Sequence, residues 1–270
     1  MRFSIITPNY NGARYLEETL ISIIRQREDG VEVELIVIDG MSSDESHAII
    51  DRYRSRIDHL VIEKDSGPAN AINKGLALAT GEVIAWLNAD DLYFPGALRR
   101  VAEVFATQPR LALCFGRCPI IDENGREIRQ WITAFKELFF PLSCRFTFQC
   151  INYVSQPALF FSRAALRQAG RLREDFVAAW DYDFMLRLWH AGNGAVVPGG
   201  PLAAFRWHQQ SISGQSYKTQ FKEELDAVIA ELGAWAPQVL VHHGVRWGIV
   251  GAYWGMETLR GWQEKRGDGR

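Results

Sequence analysis

The first 93 residues alternate short apolar runs with segments of helical periodicity, and no other feature of the sequence constrains the fold as strongly. Apolar runs occupy residues 3–7, 34–38, 60–62 and 82–87, and a helix-like segment separates each run from the next. Strands that alternate with helices pair in parallel, because each helix carries the chain back to the start of the next strand. The pattern therefore predicts an α/β fold with a mostly parallel central sheet and helices on both faces.

Polar residues follow each of these predicted strands. Thr7 precedes a turn, Asp39 ends the second strand, Asp65 follows the third, and Asn-Ala-Asp-Asp at 88–91 follows the fourth. Ligands of open α/β sheets bind in the crevice outside the carboxyl ends of the strands. We therefore expect these side chains to converge on one edge of the sheet and to form the functional site.

Two adjacent carboxylates, Asp90 and Asp91, end the fourth run. Hard divalent cations bind oxygen ligands, often one or two carboxylates together with substrate phosphates, and such a cation would relieve the repulsion between the two acids. Acids at the start of a helix, where the dipole favours negative charge, would give the same pattern. Both interpretations remain open on spacing alone.

The turn after the first strand argues against two common nucleotide sites. Its sequence, Thr7-Pro8-Asn9-Tyr10-Asn11-Gly12, has one glycine where a dinucleotide fingerprint has three, and it lacks the lysine of a P-loop. A dehydrogenase and a P-loop NTPase are therefore disfavoured. Asp39 would hold a ribose in a dinucleotide-binding domain, and it fits equally well as an acid near a helix N-terminus.

The remaining chain is less regular. Residues 157–162 and 201–206 are strand-like, whereas 181–192 and 218–262 have helical patterns, and Ser-Ser-Asp-Glu at 42–45 predicts a capping box. The aromatic run from 131 to 153 is compatible with ordinary core packing, with stacking on sugar rings or with contact to a lipid carrier.

Charge and composition exclude several classes of protein. A net charge of −2 gives no basic field for nucleic acid. No run of about 18 uninterrupted apolar residues predicts a membrane-spanning helix, and the N-terminal residues lack the pattern of a secretory signal. The four cysteines fit no zinc pattern and are expected to be reduced. These features predict a cytoplasmic protein without a nucleic-acid partner.

An ordered series of segments over residues 3–93 resembles the N-terminal half of the family 2 glycosyltransferases, which have the GT-A fold. The segments read SIITPNYNGARYLEETLISIIRQ, then ELIVIDGMSSDES, then EKDSGPANAINKGLALATGEVIAWLNADD. The resemblance implies a Rossmann-like sheet and a metal-dependent enzyme of the hexosyltransferase type that uses Mn²⁺ or Mg²⁺. It would move a sugar, with inversion, from a nucleotide diphosphate, commonly UDP, to an acceptor hydroxyl in polysaccharide or glycan biosynthesis.

The resemblance also implies roles for individual residues. The residues that match the family's nucleotide-sugar contacts are Thr7, Pro8, Tyr10, Asp39, Asp65, Lys74, Asn88, Ala89 and Asp90. Asn88 stands where the family often has the first aspartate of a D-x-D motif, which shifts predicted metal ligation onto Asp90 or Asp91. His208 falls where some relatives place a late histidine near the metal, although a lone histidine is more often structural.

The family's catalytic base comes from an acidic pair that opens a helix in the second half. Here the segment reads Trp180-Asp181-Tyr182-Asp183, so that Trp180 replaces the first acid and Asp181 matches the second. We predict Asp181 as the base, with Asp183 as the second choice. Acids at a helix start are the alternative interpretation for both.

The predicted organisation is a GT-A domain over 1–215, with a nucleotide-binding half (1–93) and an acceptor-side half (94–215), and a C-terminal helical extension over 216–270. Three roles remain open for the tryptophan-containing extension: an interfacial helix at the inner face of the membrane, packing on the main domain, or a homodimer contact. The expected acceptor is a glycan or a lipid-linked glycan. A sugar-nucleotide pyrophosphorylase and a non-catalytic carbohydrate-binding protein are the rival hypotheses.

Overall fold

A seven-stranded sheet forms the centre of the computed structural model, which describes residues 1–209 and 217–248. Its strands are β1 (Arg2–Asn9), β2 (Glu32–Asp39), β3 (His59–Ile62), β4 (Val83–Trp86), β6 (Leu111–Phe115), β9 (Leu159–Ser162) and β10 (Asn193–Val196). A second, four-stranded sheet contains β5 (Leu92–Tyr93), β7 (Ile120–Ile121), β8 (Glu127–Ile128) and β11 (Ala203–Arg206).

The strand order of the large sheet is β10-β6-β9-β4-β1-β2-β3. Strand β1 pairs in parallel with β2 and β4, and β2 pairs in parallel with β3. Strand β9 runs antiparallel to both of its neighbours, β4 and β6. The predicted mostly parallel sheet is therefore confirmed, with one strand reversed.

Helices cover both faces of this sheet. They are α1 (Ala13–Ile24), α2 (Ser46–Arg52), α3 (Pro68–Leu78), α4 (Ala97–Thr107), α5 (Gln130–Glu137), α6 (Arg145–Cys150), α7 (Arg163–Ala169), α8 (Trp180–Ala191) and α9 (Tyr217–Leu232). Residues 237–248 are also helical. Within the described part of the chain, no helix is both long enough and apolar enough to cross a bilayer.

The side chains of each central strand alternate between two apolar cores, as the two-residue period of a strand requires. In β4, Ile84 and Trp86 join one core, whereas Val83 and Ala85 join the other. The first core lies against α3, α8 and α9, and the second lies against α1, α2 and α4. Burial on both faces explains why these strands are almost continuously apolar in the sequence.

Glycine allows α3 to lie directly on β1. A Cβ atom at Gly75 would lie 2.4 Å from Cγ2 of Ile6, which is far inside van der Waals contact. The helix begins at Pro68, whose fixed φ angle suits the first helical position. In the Asn73-Lys74-Gly75 sequence, Gly75 is therefore required for packing, whereas Lys74 before it is partly exposed.

The expected capping box at 42–45 is wrong. Helix α2 begins at Ser46 after Glu45, and no side chain caps it at that position. Ser42 instead donates its backbone N–H and its hydroxyl to Asp39, over 2.8 Å and 2.7 Å. Ser42 therefore serves the buried carboxylate of Asp39, which needs hydrogen-bond donors, and Asp44 accepts from the backbone N–H of Ser46 at the helix start, at 3.0 Å.

The predicted helix over 218–262 is interrupted. Helix α9 ends before Gly233, which adopts a left-handed backbone conformation with φ at 81°. Leu225 and Val228 of α9 are buried in the same core as Trp86. The domain boundary at 215 stays a prediction. Residues 210–215 of the predicted domain, and residues 216 and 249–270 of the predicted extension, lie outside the described residues.

A buried carboxylate supports the amino-terminal half of the sheet. Glu34 accepts hydrogen bonds from the hydroxyl of Ser4, from the backbone N–H and hydroxyl of Thr80 at 2.7 Å and 2.5 Å, and from Arg2 at 3.0 Å. Burial alone would raise the pKa of Glu34, but these hydrogen bonds and the charge of Arg2 lower it to about 2. The ionised carboxylate therefore stabilises the folded state.

We expect Glu34→Gln to lower the free energy of unfolding by about 3 kcal/mol at pH 7, the equivalent of the pKa shift. Because the folded pKa is depressed, this stabilisation is present above the ordinary pKa of 4.5 and is lost as pH falls towards 2. Denaturant unfolding of both proteins across that pH range measures the difference, with the exposed Glu32→Gln as control. A difference that stays constant from pH 7 to pH 2 would contradict the assignment.

Candidate active site

The turn after β1 is held by hydrogen bonds from the loop after β2. Asn9 donates from Nδ2 to Asp39 at 2.6 Å and to the hydroxyl of Ser42 at 3.1 Å. Asn11 adopts a left-handed conformation with φ at 51°, and its side-chain oxygen accepts from the Ser43 backbone N–H at 2.8 Å. Two strand ends that are thirty residues apart in sequence therefore form one rigid rim.

Asp39 is the centre of this rim. Its side chain is fully buried and also accepts from Nε2 of His47 at 2.9 Å. Burial opposes ionisation, but the hydrogen bonds from Ser42, Asn9 and His47 outweigh it and lower the pKa of Asp39. Asp39 thus connects the two loops of the rim through its hydrogen bonds. Its contact with a nucleobase stays a prediction.

Tyr10 and Asp65 meet across Gly40. A Cβ atom at Gly40 would lie 2.4 Å from Oδ2 of Asp65 and 3.3 Å from Cδ2 of Tyr10. The Tyr10 side chain is 68% exposed, whereas Thr7 and Pro8 are buried beneath it. Of the three residues predicted as contacts in the first turn, Tyr10 is therefore the one with an exposed side chain.

Lys74 supports the loop that carries Asp65. Its Nζ donates to the carbonyl oxygen of Lys64 at 2.9 Å and pairs with Glu63 at 2.8 Å. Asp65 itself accepts from the backbone N–H of Gly67 at 2.9 Å. These contacts fix the loop between β3 and α3 at the same edge of the sheet as Tyr10.

The two adjacent aspartates after β4 have different environments. Asp90 keeps 27% of its side-chain surface exposed, and its Oδ2 lies 3.0 Å from Nε2 of His208. Asp91 is fully buried, and its Oδ1 accepts from the backbone N–H of Arg206 at 2.8 Å. Burial and the neighbouring charge of Asp90 raise the pKa of Asp91. The geometry therefore brings Asp90 and His208 together and directs Asp91 inward.

Asn88 and Ala89 complete this segment. The Asn88 amide lies 3.3 Å from Asp91 Oδ2 and 3.4 Å from Gln156 Oε1. Gln156 in turn donates to the carbonyl oxygen of Trp86 at 2.8 Å. Ala89 lies against the first turn: a Cβ atom added at Gly12 would be 3.1 Å from the Cβ atom of Ala89.

Helix α8 brings a third acid to this edge. Trp180, its first residue, packs on Trp86 at the end of β4 with ring centroids 6.0 Å apart. Asp181 follows, and its Oδ1 accepts from the backbone N–H of Tyr182 at 2.8 Å. Burial raises the pKa of Asp181 to about 6, partly offset by the charge of Lys136. A carboxylate with this pKa can accept a proton near neutral pH.

Asp183 lies on the same helix but is already paired. Its Oδ2 accepts from Nε and from a terminal nitrogen of Arg187 at 3.0 Å and 2.7 Å, and the residue is buried. Arg187 also donates to the carbonyl oxygen of Ala169. Of the two predicted bases, Asp181 is the less buried, and Asp183 is the one paired with an arginine.

Comparison with known proteins shows the family of the chain. The model of the family described as glycosyl transferase family 2 matches residues 4–170. The chain belongs to this family. An uncharacterized glycosyltransferase of Nostoc sp. is 35% identical over 141 residues, which are 51% of this chain and 43% of that protein. The poly(ribitol-phosphate) beta-N-acetylglucosaminyltransferase TarS of Staphylococcus aureus is 33% identical over 94 residues, 34% of this chain and 16% of TarS. The family 2 chain thus spans less than half the length of these relatives.

Solved structures show the same fold. A fragment of S. aureus TarS, residues 1–349, in complex with UDP-GlcNAc superposes with a TM-score of 0.67 at 20% identity, covering 89% of this chain and 69% of that one. The mannosyltransferase PcManGT of Pyrobaculum calidifontis, in complex with GDP-Man and Mn²⁺, gives 0.64 at 19% identity, with coverages of 97% and 82%. The predicted GT-A fold is confirmed.

Arg206 is a central residue of the candidate site that the sequence did not reveal. Its guanidinium is buried, stacks over Tyr15 at 4.6 Å, and donates to the carbonyl oxygen of Asp90 at 2.9 Å and to Glu18 at 2.5 Å. These partners lie more than a hundred residues away in sequence, so no local pattern marks the arginine. Arg206 fixes the backbone of Asp90 and leaves its carboxylate directed towards His208.

Lys136 and Glu224 were also missed. Lys136 donates to the hydroxyl of Ser155 at 3.1 Å, and burial lowers its pKa. Glu224 accepts from Asn152 at 3.0 Å, and burial raises its pKa to about 7. Both lie within electrostatic range of Asp181. In the sequence each looks like an ordinary charge on an amphipathic helix.

We expect Arg206→Lys to lower the free energy of unfolding by about 2 kcal/mol or more, because an ammonium cannot replace the hydrogen bonds of the guanidinium to several partners. Urea unfolding measures the loss. Arg99→Lys, at an exposed position of α4, is the matched control and should change stability by less than about 0.5 kcal/mol. Equal effects of the two substitutions would show that Arg206 does not hold the site together.

Proposed function

We propose that this family 2 chain is an inverting glycosyltransferase that moves a sugar from a nucleotide diphosphate donor, UDP-linked, to an acceptor hydroxyl. The single observation that supports it is the placement of two chemically different groups at one edge of the sheet. The Asp90–His208 pair follows β4 and β11, and Asp181 opens α8, which the Trp86–Trp180 contact holds beside β4. A leaving-group site and a proton acceptor from separate segments are what a displacement at a sugar carbon needs.

The donor nucleotide is assigned to the rim formed by Tyr10, Asp65 and Asn88. The exposed Tyr10 ring supplies a stacking surface for a base, and the Asn88 amide can hydrogen-bond a ribose hydroxyl. Asp39 supports this rim from below, and Lys74 holds the Asp65 loop. The structural neighbours bind UDP-GlcNAc and GDP-Man, which supports a nucleotide-sugar donor; UDP is the form we propose here.

Asp90 and His208 fit a divalent cation. A carboxylate oxygen and an imidazole nitrogen lie 3.0 Å apart at a partly exposed position, and both are ligand types that Mn²⁺ accepts. Asp91 is oriented by the Arg206 backbone N–H, so we assign it to support and Asp90 to ligation. The bound cation would act as a Lewis acid that offsets the charge developing on the diphosphate leaving group.

Asp181 is proposed as the base. It would take the proton of the acceptor hydroxyl as that oxygen attacks the sugar carbon, assistance typically worth about 10²–10⁴-fold in rate. At pH 7 a carboxyl with a pKa of about 6 is mostly ionised, so it is ready to accept the proton. Lys136 favours this ionised form. Asp183, which is bound to Arg187, is assigned to fixing the helix.

The acceptor is placed beside α5, which carries Lys136. The neighbouring side chains of Trp131, Phe135 and Phe146 are exposed, whereas Phe148 and Tyr153 pack in the core. Exposed aromatic rings stack on sugar faces and contact lipid chains. A glycan or lipid-linked acceptor in surface-polysaccharide assembly therefore fits, and peripheral contact with a membrane would follow from a lipid-linked one.

We expect Asp90→Asn to remove the metal dependence of UDP binding. Removal of a residue that hydrogen-bonds a metal ligand typically lowers metal affinity by roughly 10–100-fold. Removal of the ligand itself should lower metal affinity by at least as much. Titration calorimetry with UDP in manganese and in EDTA measures the metal dependence. Glu123→Gln, which changes an exposed acid paired with Arg14, is the control. If Asp90→Asn still binds UDP better with manganese than with EDTA, the cation lies elsewhere.

We expect Asp181→Asn to reduce kcat for sugar transfer by about 10²–10⁴-fold while UDP binds within about twofold of wild type. Since the base must be ionised, wild-type kcat/KM should fall about tenfold per pH unit below pH 6, and the variant should lack this limb. Lys136→Met should move the limb to higher pH, because the lysine charge lowers the pKa of Asp181. Full activity of Asp181→Asn, or release of pyrophosphate instead of sugar transfer, would reject the proposal.

A further inference from the structure

A carboxylate from α9 binds the segment that leads into α8. Oε1 of Glu223 accepts from the backbone N–H of Val177 at 2.8 Å. Its Oε2 accepts from the N–H groups of Ala178 and Ala179 at 2.8 Å and 2.9 Å. Three consecutive peptide groups are therefore held by one side chain from a helix more than forty residues away.

These donors are ones that α8 cannot satisfy itself. The helix begins at Trp180, and Ala179 at its N-cap has no side-chain acceptor. Ala179 is the N-cap residue and Val177 and Ala178 precede the helix, so none of the three N–H groups has an acceptor within α8, and the helix dipole favours negative charge at this end. Glu223 supplies both the missing acceptors and the negative charge.

The position of Asp181 depends on this segment. Asp181 lies two residues after Ala179, and its own Oδ1 is held by the Tyr182 backbone N–H in the first turn. The carboxylate consequently moves with the start of α8. Whatever fixes the peptide groups at 177–179 also fixes the direction in which Asp181 points.

Helix α9 is itself anchored immediately after Glu223. The next residue, Glu224, is buried and accepts from Asn152 at 3.0 Å and from Gln220 at 3.2 Å. Leu225 and Val228 are buried in the core that includes Trp86. A side chain on such a helix provides a stable reference for the loop that it binds.

We propose that Glu223 is the positioning residue for the base Asp181, and that α9 is consequently part of the catalytic centre. This inference rests on the proposed function. The family match ends at residue 170, so both Asp181 and Glu223 lie beyond it. Neither residue touches the other; Glu223 acts through the backbone of 177–179.

The test compares Glu223→Gln with Asp226→Asn. Asp226 lies on the same helix, is exposed, and pairs only with Lys222 among the contacts described for it, at 2.6 Å, so its substitution controls for loss of charge on α9. An amide at 223 lacks the charge and has one oxygen acceptor where the carboxylate has two. We expect Glu223→Gln to lower kcat by about 10–100-fold, the scale of a small misplacement of a catalytic group, with KM for the sugar nucleotide within about twofold.

Two further measurements separate positioning from general support. Hydrogen exchange of the amides at 177–179 should accelerate in Glu223→Gln and remain unchanged in Asp226→Asn. In the Asp181→Asn background, Glu223→Gln should have no further effect on the residual rate, because the group that it positions has been removed. Glu223→Asp, which keeps the charge on a shorter side chain, should restore part of kcat and serves if Glu223→Gln is too unstable to purify.

The outcomes distinguish this inference from the proposed function. If wild type transfers no sugar from any nucleotide donor, the proposed function fails and the inference fails with it. If wild type is active and Asp181→Asn is inactive but Glu223→Gln retains its kcat, only the inference fails. An equal loss of kcat from Glu223→Gln with and without Asp181 would show a merely structural role and would also overturn it.

Discussion

A buried contact between two tryptophans brings the halves of the candidate site together. Trp86 ends β4, immediately before the segment that carries Asp90, and Trp180 opens α8, immediately before Asp181. Their rings are 6.0 Å apart in a core that also contains Phe161 and Phe184. The resemblance to the family led us to expect an acid at position 180, and the burial of Trp180 shows that this position serves packing here. The contact therefore holds the start of α8 beside the end of β4, so that the proposed base and the proposed cation site follow from two packed elements.

Buried charges then orient the groups around that core. Asp39, Asp91 and Arg206 have almost no exposed surface, and a buried charge is costly unless hydrogen bonds compensate for it. Asp39 receives donors from the first turn and the following loop, and Arg206 binds the backbone of the Asp90 segment. Glu223 has the same effect at the start of α8. The groups proposed to meet the substrate, Asp90 and Asp181, are each positioned by a charged residue that faces the protein.

The success of the sequence analysis follows the range of the interactions involved. The strands β1 to β4 were predicted to within two residues at each end because burial on both faces leaves continuous apolar runs. The cap at Ser42 was predicted wrongly, since a local pattern cannot show that Asp39 competes for the same hydroxyl. The sequence also could not show that Asp90 is partly exposed whereas Asp91 is buried, because the partner of Asp91 is the backbone of residue 206.

The sequence by itself determined the class of fold, the edge of the sheet that carries the site and the membership of the chain in its family. These follow from periodicity and from the order of short motifs, which are local properties of the chain. Only the tertiary structure decided which acids face outward and which residues hold them, including Arg206, Lys136 and Glu223. Those roles depend on hydrogen bonds and burial between segments far apart in sequence, and a linear pattern carries no record of which distant side chain comes to lie beside a given carboxylate.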